Sequence, residues 1–250
     1  MLLSVSESAA NAAVVLPGLT DSALAGIPAF MLDSLSNMPS DLFSSVGLVG
    51  SSALLVSSQR LNTEGCLSWP TATLSPPPAR QWRFGFRKGV ATAVPLDSLE
   101  GMTPTDSSQV TVEIARIASV VAEGSDPAFR GLPFSVRRAY RFSLGSNSVV
   151  VADVVRKINE EANPREEHLL LVAERATPGD GKYVAAFESR VAGSEAVVRT
   201  NEILGAVRFV RGNPAIIVTF EYEDGGKVAL LERTGEKQWR LTWRSAYTGC

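Results

Sequence analysis

The sequence predicts a mainly β protein, an antiparallel up-and-down meander curled into a barrel or half-barrel, with one or two packing helices. Three observations carry this expectation. First, the stretch from Ala215 to Ser245 consists of three short runs joined by Glu223-Asp224-Gly225-Gly226 and Thr234-Gly235-Glu236-Lys237. In its last run Trp239, Leu241 and Trp243 alternate with Gln238, Arg240, Thr242 and Arg244. Alternate strand residues face opposite sides, so this pattern describes a sheet covered on one side. Second, from Leu132 onward runs of this kind recur, separated by clusters of Gly, Asn, Asp and Pro that suit tight hairpins. Third, a single stretch has strong helical spacing: Val110, Ile114, Ile117, Ala118 and Val121, with Glu113 and Arg116 off that face.

Taken in order, residues 1–80 read as a Ser/Ala/Pro-rich arm that packs on a body formed by residues 81–250. Asp21-Ser22 offers a cap for a helix through Ala23, Leu24, Ile27, Phe30, Met31 and Leu35, with Pro28 inside it and Pro39 ending it. A strand is expected over 45–58. The stretch 59–80, with Trp69-Pro70 and Pro76-Pro77-Pro78, is expected to be a connector outside any central sheet, because proline removes a ladder donor. Trp82 to Arg87 alternates, Lys88-Gly89 can turn the chain, and Val90 to Leu96 can return it. A helix is expected near 108–122. Strands follow near 134–144, 148–158, 168–175, 182–191, 195–210, 215–222, 227–233 and 238–245. Gly205 marks a bend in one of them. Sequential hairpins place neighbours side by side. A sheet this large tends to close, around side chains or one small ligand, or to close partly with the helix in its mouth.

The bulk numbers set limits on function. An apolar fraction of 45% with 20% charged residues suits a folded protein with a sizeable core. The net charge of −2 lacks the concentrated basic face that nucleic acid requires. No run approaches the roughly 20 apolar residues of a membrane-spanning helix. No phosphate-binding glycine loop, nucleophile elbow or metal-ligand spacing is present, so no cofactor, metal or catalytic residue is assigned.

Cys66 and Cys250 are the two cysteines. A disulfide between them would pin the last residues to the segment entering the sheet, and in the chain-entropy view it would contribute ~5 kcal/mol. Such a bond suits an extracytoplasmic setting, periplasmic or envelope-associated, with a leader absent from this sequence; a cytoplasmic setting with free thiols is the alternative.

The remaining candidates are side chains in ambiguous settings. Tyr183, Phe187, Phe220, Tyr222, Trp239 and Trp243 fall on one face of their strands. They line a ligand cavity if the sheet encloses space, and form core if it packs on helices. His168, the only histidine, reads as a strand-start residue beside a solvated loop. Glu160, Glu161, Glu166 and Glu167 read as charges of that loop. Asp153 and Glu202 interrupt apolar runs, and a buried carboxylate there would need a partner.

Three functions follow as expectations. The first is a non-enzymatic extracytoplasmic binding module for an apolar or amphipathic small molecule. The second is an interaction or assembly subunit of a cell-envelope complex, meeting a protein partner through the N-terminal arm. The third is a hydrolase using Asp153 and Glu202.

Overall fold

The computed structural model describes the chain apart from residues 7, 25, 26, 28, 57–65, 122–125, 177–180 and 250. Its first third is a closed six-stranded antiparallel barrel. The strands are β1 (Leu2–Ser6), β2 (Asn11–Val15), β3 (Pro39–Phe43), β4 (Leu48–Val56), β5 (Thr71–Ser75) and β6 (Phe84–Arg87). They close in the order β1-β2-β5-β4-β3-β6, with Leu2 to Ser4 of β1 paired against Phe86 to Phe84 of β6. Closure satisfies every strand edge within the ring.

The fold class is therefore as the pattern indicated, mainly antiparallel β with closure, but the closed part lies where an arm was expected. The stretch 59–80 also departs from expectation: β5 sits inside the ring between β2 and β4. Pro70 and Pro76 flank β5 without entering it, so all five of its residues keep their amides. The periodic stretch after Asp21 forms two short helices, α1 (Asp21–Leu24) and α2 (Ala29–Asp33), rather than one. Pro28 lacks the amide that a continuous helix would need there.

Inside the barrel, Leu3, Val14, Leu42, Leu54 and Leu74 are buried. The packing is tight enough that a Cβ on Gly85 would lie 2.9 Å from the Asp41 carbonyl oxygen, 3.0 Å from Leu42 Cδ2 and 3.2 Å from Leu3 Cδ1. The interior is filled by side chains, as in other small barrels.

Past the barrel the chain builds two sheets. Instead of returning against β6, β7 (Ala91–Val94) leaves the barrel for the edge of the second sheet. β8 (Asp97–Ser98) and helix α3 (Pro104–Val121) follow. The first sheet contains β9 (Ser135–Leu144), β10 (Asn147–Ile158), β11 (Arg165–Ala176) and β12 (Val184–Ser194), in the order β12-β11-β10-β9-β8. The second contains β13 (Thr200–Phe209), β14 (Pro214–Tyr222), β15 (Gly225–Gly235) and β16 (Gln238–Arg244), in the order β16-β15-β14-β13-β7, with β17 (Thr248–Gly249) on β15. Within each sheet the long strands form a meander of consecutive antiparallel neighbours.

The layers stack as barrel, second sheet, first sheet, helix. Side-chain alternation shows this directly. On β14, Ala215 and Ile217 join the barrel-side core, whereas Ile216, Val218 and Phe220 join the core between the sheets. On β10, Val149 and Val151 face the second sheet, whereas Val150, Ala152 and Val154 meet Val110, Ile114 and Ile117 of α3. Both sheets are thus covered on both sides, not on one. That double cover explains the unbroken apolar runs Val149–Val151 and Ala215–Val218.

The barrel and second sheet meet closely. Gly205 lies at a β-bulge in β13, and a Cβ there would stand 2.3 Å from Phe84 Cε1. Phe86 and Phe209 pack edge to face at 5.3 Å, and Arg83 bonds Glu202 at 2.5 Å. Among the described residues no helix is long and apolar enough to cross a membrane.

Candidate functional site

The six aromatics expected to line one cavity are dispersed among different layers. Phe220 and Trp239 are buried between the sheets, where Trp239 meets Phe142 edge to face at 6.3 Å, and Phe187 packs against the same core. Tyr222 is exposed and packs on Tyr247. Trp243 joins the barrel-side core. A bulge between Leu230 and Leu231 pairs them with Trp243 and Leu241, which turns Trp243 to the face opposite Trp239. Tyr183 lies on the helix side of the first sheet.

The carboxylates and the histidine belong to networks at the ends of the sandwich. Asp153 is fully buried. Its Oδ1 accepts from Asn201 Nδ2 at 2.8 Å, its Oδ2 accepts from Arg137 at 3.1 Å, and His168 Nδ1 stands 3.6 Å from the same oxygen. His168 Nε2 contacts Glu166 Oε2 at 2.7 Å, and Lys157 bonds the other oxygen of Glu166. Burial opposes charge on the imidazole, but the flanking Asp153 and Glu166 outweigh it and raise its pKa.

The expectation that His168, Glu166 and Glu167 edge a solvated loop is therefore overturned. All three are buried in β11. The register supplies the cause, setting Glu166 opposite Lys157 and Glu167 opposite Arg156 across β10. Glu202 is held by Arg83 and by Arg138 at 3.1 Å. At the other end, Glu174 accepts from Arg233 Nε and Nη2 at 2.8 and 2.9 Å, from the Lys237 amide at 3.2 Å, and from the Trp239 indole. These networks give the buried charges close partners, although Glu167 Oε1, His168 Nδ1 and Asn201 Oδ1 have no hydrogen bond among the described residues.

A pocket of about 460 Å³ lies between the first half of α3 and the first sheet. The helix begins where the sequence offers start signals: Thr103 accepts the Asp106 amide at 3.2 Å, Pro104 takes the first helical position, and Asp106 lies in the first turn. Its apolar stripe covers the sheet only in part. Along β9 the helix-facing positions pass from Ala139 to Arg141, and along β11 from Ala173 to Arg175. Where alanine gives way to arginine the helix and sheet part.

The pocket wall combines Val110, Val112 and the Tyr183 ring with Arg141, Arg175 and Lys182, and with Asp106 and Glu113. Tyr183 is fixed by a 2.7 Å hydroxyl contact with Ser148, and its ring carries the Arg175 guanidinium at 4.6 Å. Glu113 is paired with Arg116 at 2.9 Å, and that bond chiefly lowers its pKa. The geometry is that of a half-open amphipathic site, with an apolar floor and charged rim.

Of the sequence candidates only Tyr183 reaches this pocket; Arg141, Arg175 and Lys182 were missed. The available signal was the Ala-to-Arg change on alternate positions of two strands, which reads as ordinary surface until the strands are known to be neighbours. Among the described residues no cluster of His, Cys, Asp and Glu could hold a metal ion.

Cys250 lies outside the described residues, so the expected Cys66–Cys250 bond does too. The adjacent residues are paired: Leu67 and Gly249 exchange both backbone hydrogen bonds at 2.9 Å. Comparison of the chain with protein families, with curated proteins and with solved structures found no match.

Proposed function

We propose that this protein is a non-enzymatic binding module for a small amphipathic molecule, held between α3 and the first sheet. The observation that carries the reading is the pocket of about 460 Å³ with its apolar floor and charged rim. Its size falls within the usual range of small-molecule sites. A catalytic reading of Asp153 has less support, because the carboxylate is sealed in a network with Arg137 and Asn201. The test is native mass spectrometry of protein from its own source, before and after organic extraction, beside the Val112→Trp variant. Val112 is 66% exposed and lines the pocket, so the indole fills the site from its rim without disturbing the core. The reading expects a small molecule that extraction releases and that V112W fails to retain. Equal retention by both proteins would place the ligand elsewhere.

The setting we propose is extracytoplasmic, with Cys66 and Cys250 bonded. Leu67 and Gly249 form a hydrogen-bonded antiparallel pair. One step further along such a ladder lies a non-hydrogen-bonded pair, whose Cα separation of about 4.5 Å suits a disulfide. The bond predicts an intact mass two hydrogens below the reduced chain and a Tm that falls with reductant. Labelling of both thiols in native, oxidised protein would contradict it.

A second reading, an assembly subunit that uses the first third of the chain, is favoured by the exposure of Phe30, Val46, Leu48 and Leu55. If it holds, Phe30→Ser with Leu48→Ser should release partner chains that co-purify from the native source; unchanged assembly would remove it.

A further inference from the structure

We propose that the pocket selects an anion: a carboxylate or phosphate ester on a short apolar or aryl body, with Arg175 as the specificity-determining residue. This rests on the pocket reading above. Three cations and two carboxylates line the site, so its wall carries a net positive charge. The carboxylates offset it only in part, Glu113 acting on Arg175 and Lys182 at longer range. Both Glu113 oxygens are taken by Arg116, at 2.9 and 3.4 Å, and Asp106 stands 3.9 Å from Arg141, beyond hydrogen-bond distance. Among the described residues neither Arg175 nor Lys182 has an ion pair.

Arg175 is held ready for a ligand. Its guanidinium lies over the ring of Tyr183, whose hydroxyl is anchored on Ser148, so its position is set before anything binds. Its Nε is buried and has no hydrogen-bond partner among the described residues. That donor is enclosed, so the terminal amino groups of the guanidinium are the ones from which an oxyanion in the pocket would accept. The planar fork matches the paired oxygens of a carboxylate or phosphate, which a lysine does not do. Val110, Val112 and the Tyr183 ring then provide the surface for the apolar body.

The test uses three probes on the full chain by titration calorimetry: 4-phenylbutyrate, phenyl phosphate and the neutral 4-phenylbutanol. The inference expects the anions to bind at least about tenfold more tightly than the alcohol, the scale of one charge-assisted hydrogen bond. Arg175→Gln should weaken the anions about tenfold more than the alcohol, and Arg175→Lys should fall between. The ratio of carboxylate to phosphate affinity tells which oxyanion the site prefers. If R175Q does not fold, Lys182→Gln, on an exposed residue, should weaken both anions more than the alcohol. Equal binding of acid and alcohol, abolished by V112W, would overturn the anion inference while upholding the pocket. Anion binding indifferent to R175Q and K182Q would overturn it as well. So would the failure of every probe at millimolar concentration, with the pocket itself then judged by the mass-spectrometric result.

Discussion

His168 shows how a single buried residue gives the fold a pH dependence. Its ring lies between Asp153 and Glu166, and together they raise its pKa above the ordinary value of 6.5. A raised histidine pKa contributes stability that is complete below the unfolded value and lost as pH climbs through the folded one. His168→Leu should therefore destabilise by about 3 kcal/mol at mildly acidic pH, as expected when a buried charge loses its partner. Urea unfolding should show the gap between wild type and H168L narrowing above about pH 6.5; a gap constant from acid to alkaline pH would refute the role. Glu174 works with the opposite sign. Burial pushes its pKa up, but Arg233, Trp239 and the Lys237 amide outweigh this and lower it. Its contribution is present above the ordinary carboxylate range and lost as pH falls through the lowered value. The cost of Glu174→Gln should accordingly shrink in acid, which the same unfolding series would show.

At the scale of elements, two close fits carry predictions. Gly205 admits the Phe84 ring at the seam between barrel and second sheet. Gly205→Ala should cost about 1–3 kcal/mol by overpacking, read as a lower urea midpoint with an unchanged slope. Thr103 caps α3, and Thr103→Ala should cost about 1 kcal/mol. The contrast between these elements also shows what the sequence could reveal. The strands from 134 to 158 and from 214 to 244 were legible because each alternates strongly or runs apolar between Gly, Asn or Asp turns. Of the barrel strands, β4 and β6 were legible as well, whereas β1, β2, β3 and β5 were not. These four are five residues each, and apolar and polar positions contrast weakly in them because Ser, Ala and Thr are frequent and prolines stand at or near three of them. Closure of the ring joins Leu2 to Phe86, a pairing that no local pattern announces. The pocket was illegible for a related reason: Arg141, Arg175 and Val112 become neighbours only once sheet and helix are assembled.

For the whole molecule, the barrel-side core joins the two halves. Leu3, Phe84 and Phe86 belong to the same packed cluster as Leu204, Val207, Ile217 and Trp243. Unfolding should therefore be one cooperative event, with calorimetric and van't Hoff enthalpies in agreement; two resolved transitions would mean that the seam is weaker than its packing implies. A chain beginning at Lys88 would expose the barrel-facing side of the second sheet and should self-associate, which sedimentation would detect.

The pairing of Leu67 with Gly249 has a consequence for the order of folding. The strand-like contact just before β5 joins Leu67 to Gly249, and the Asp21 carboxylate accepts from the Tyr247 amide, so both tie the first third of the chain to residues far along it. Contacts so distant in sequence form slowly. The ring, whose strands all lie within residues 2–87, closes shorter loops than this contact does, so its flank is the part expected to pair late.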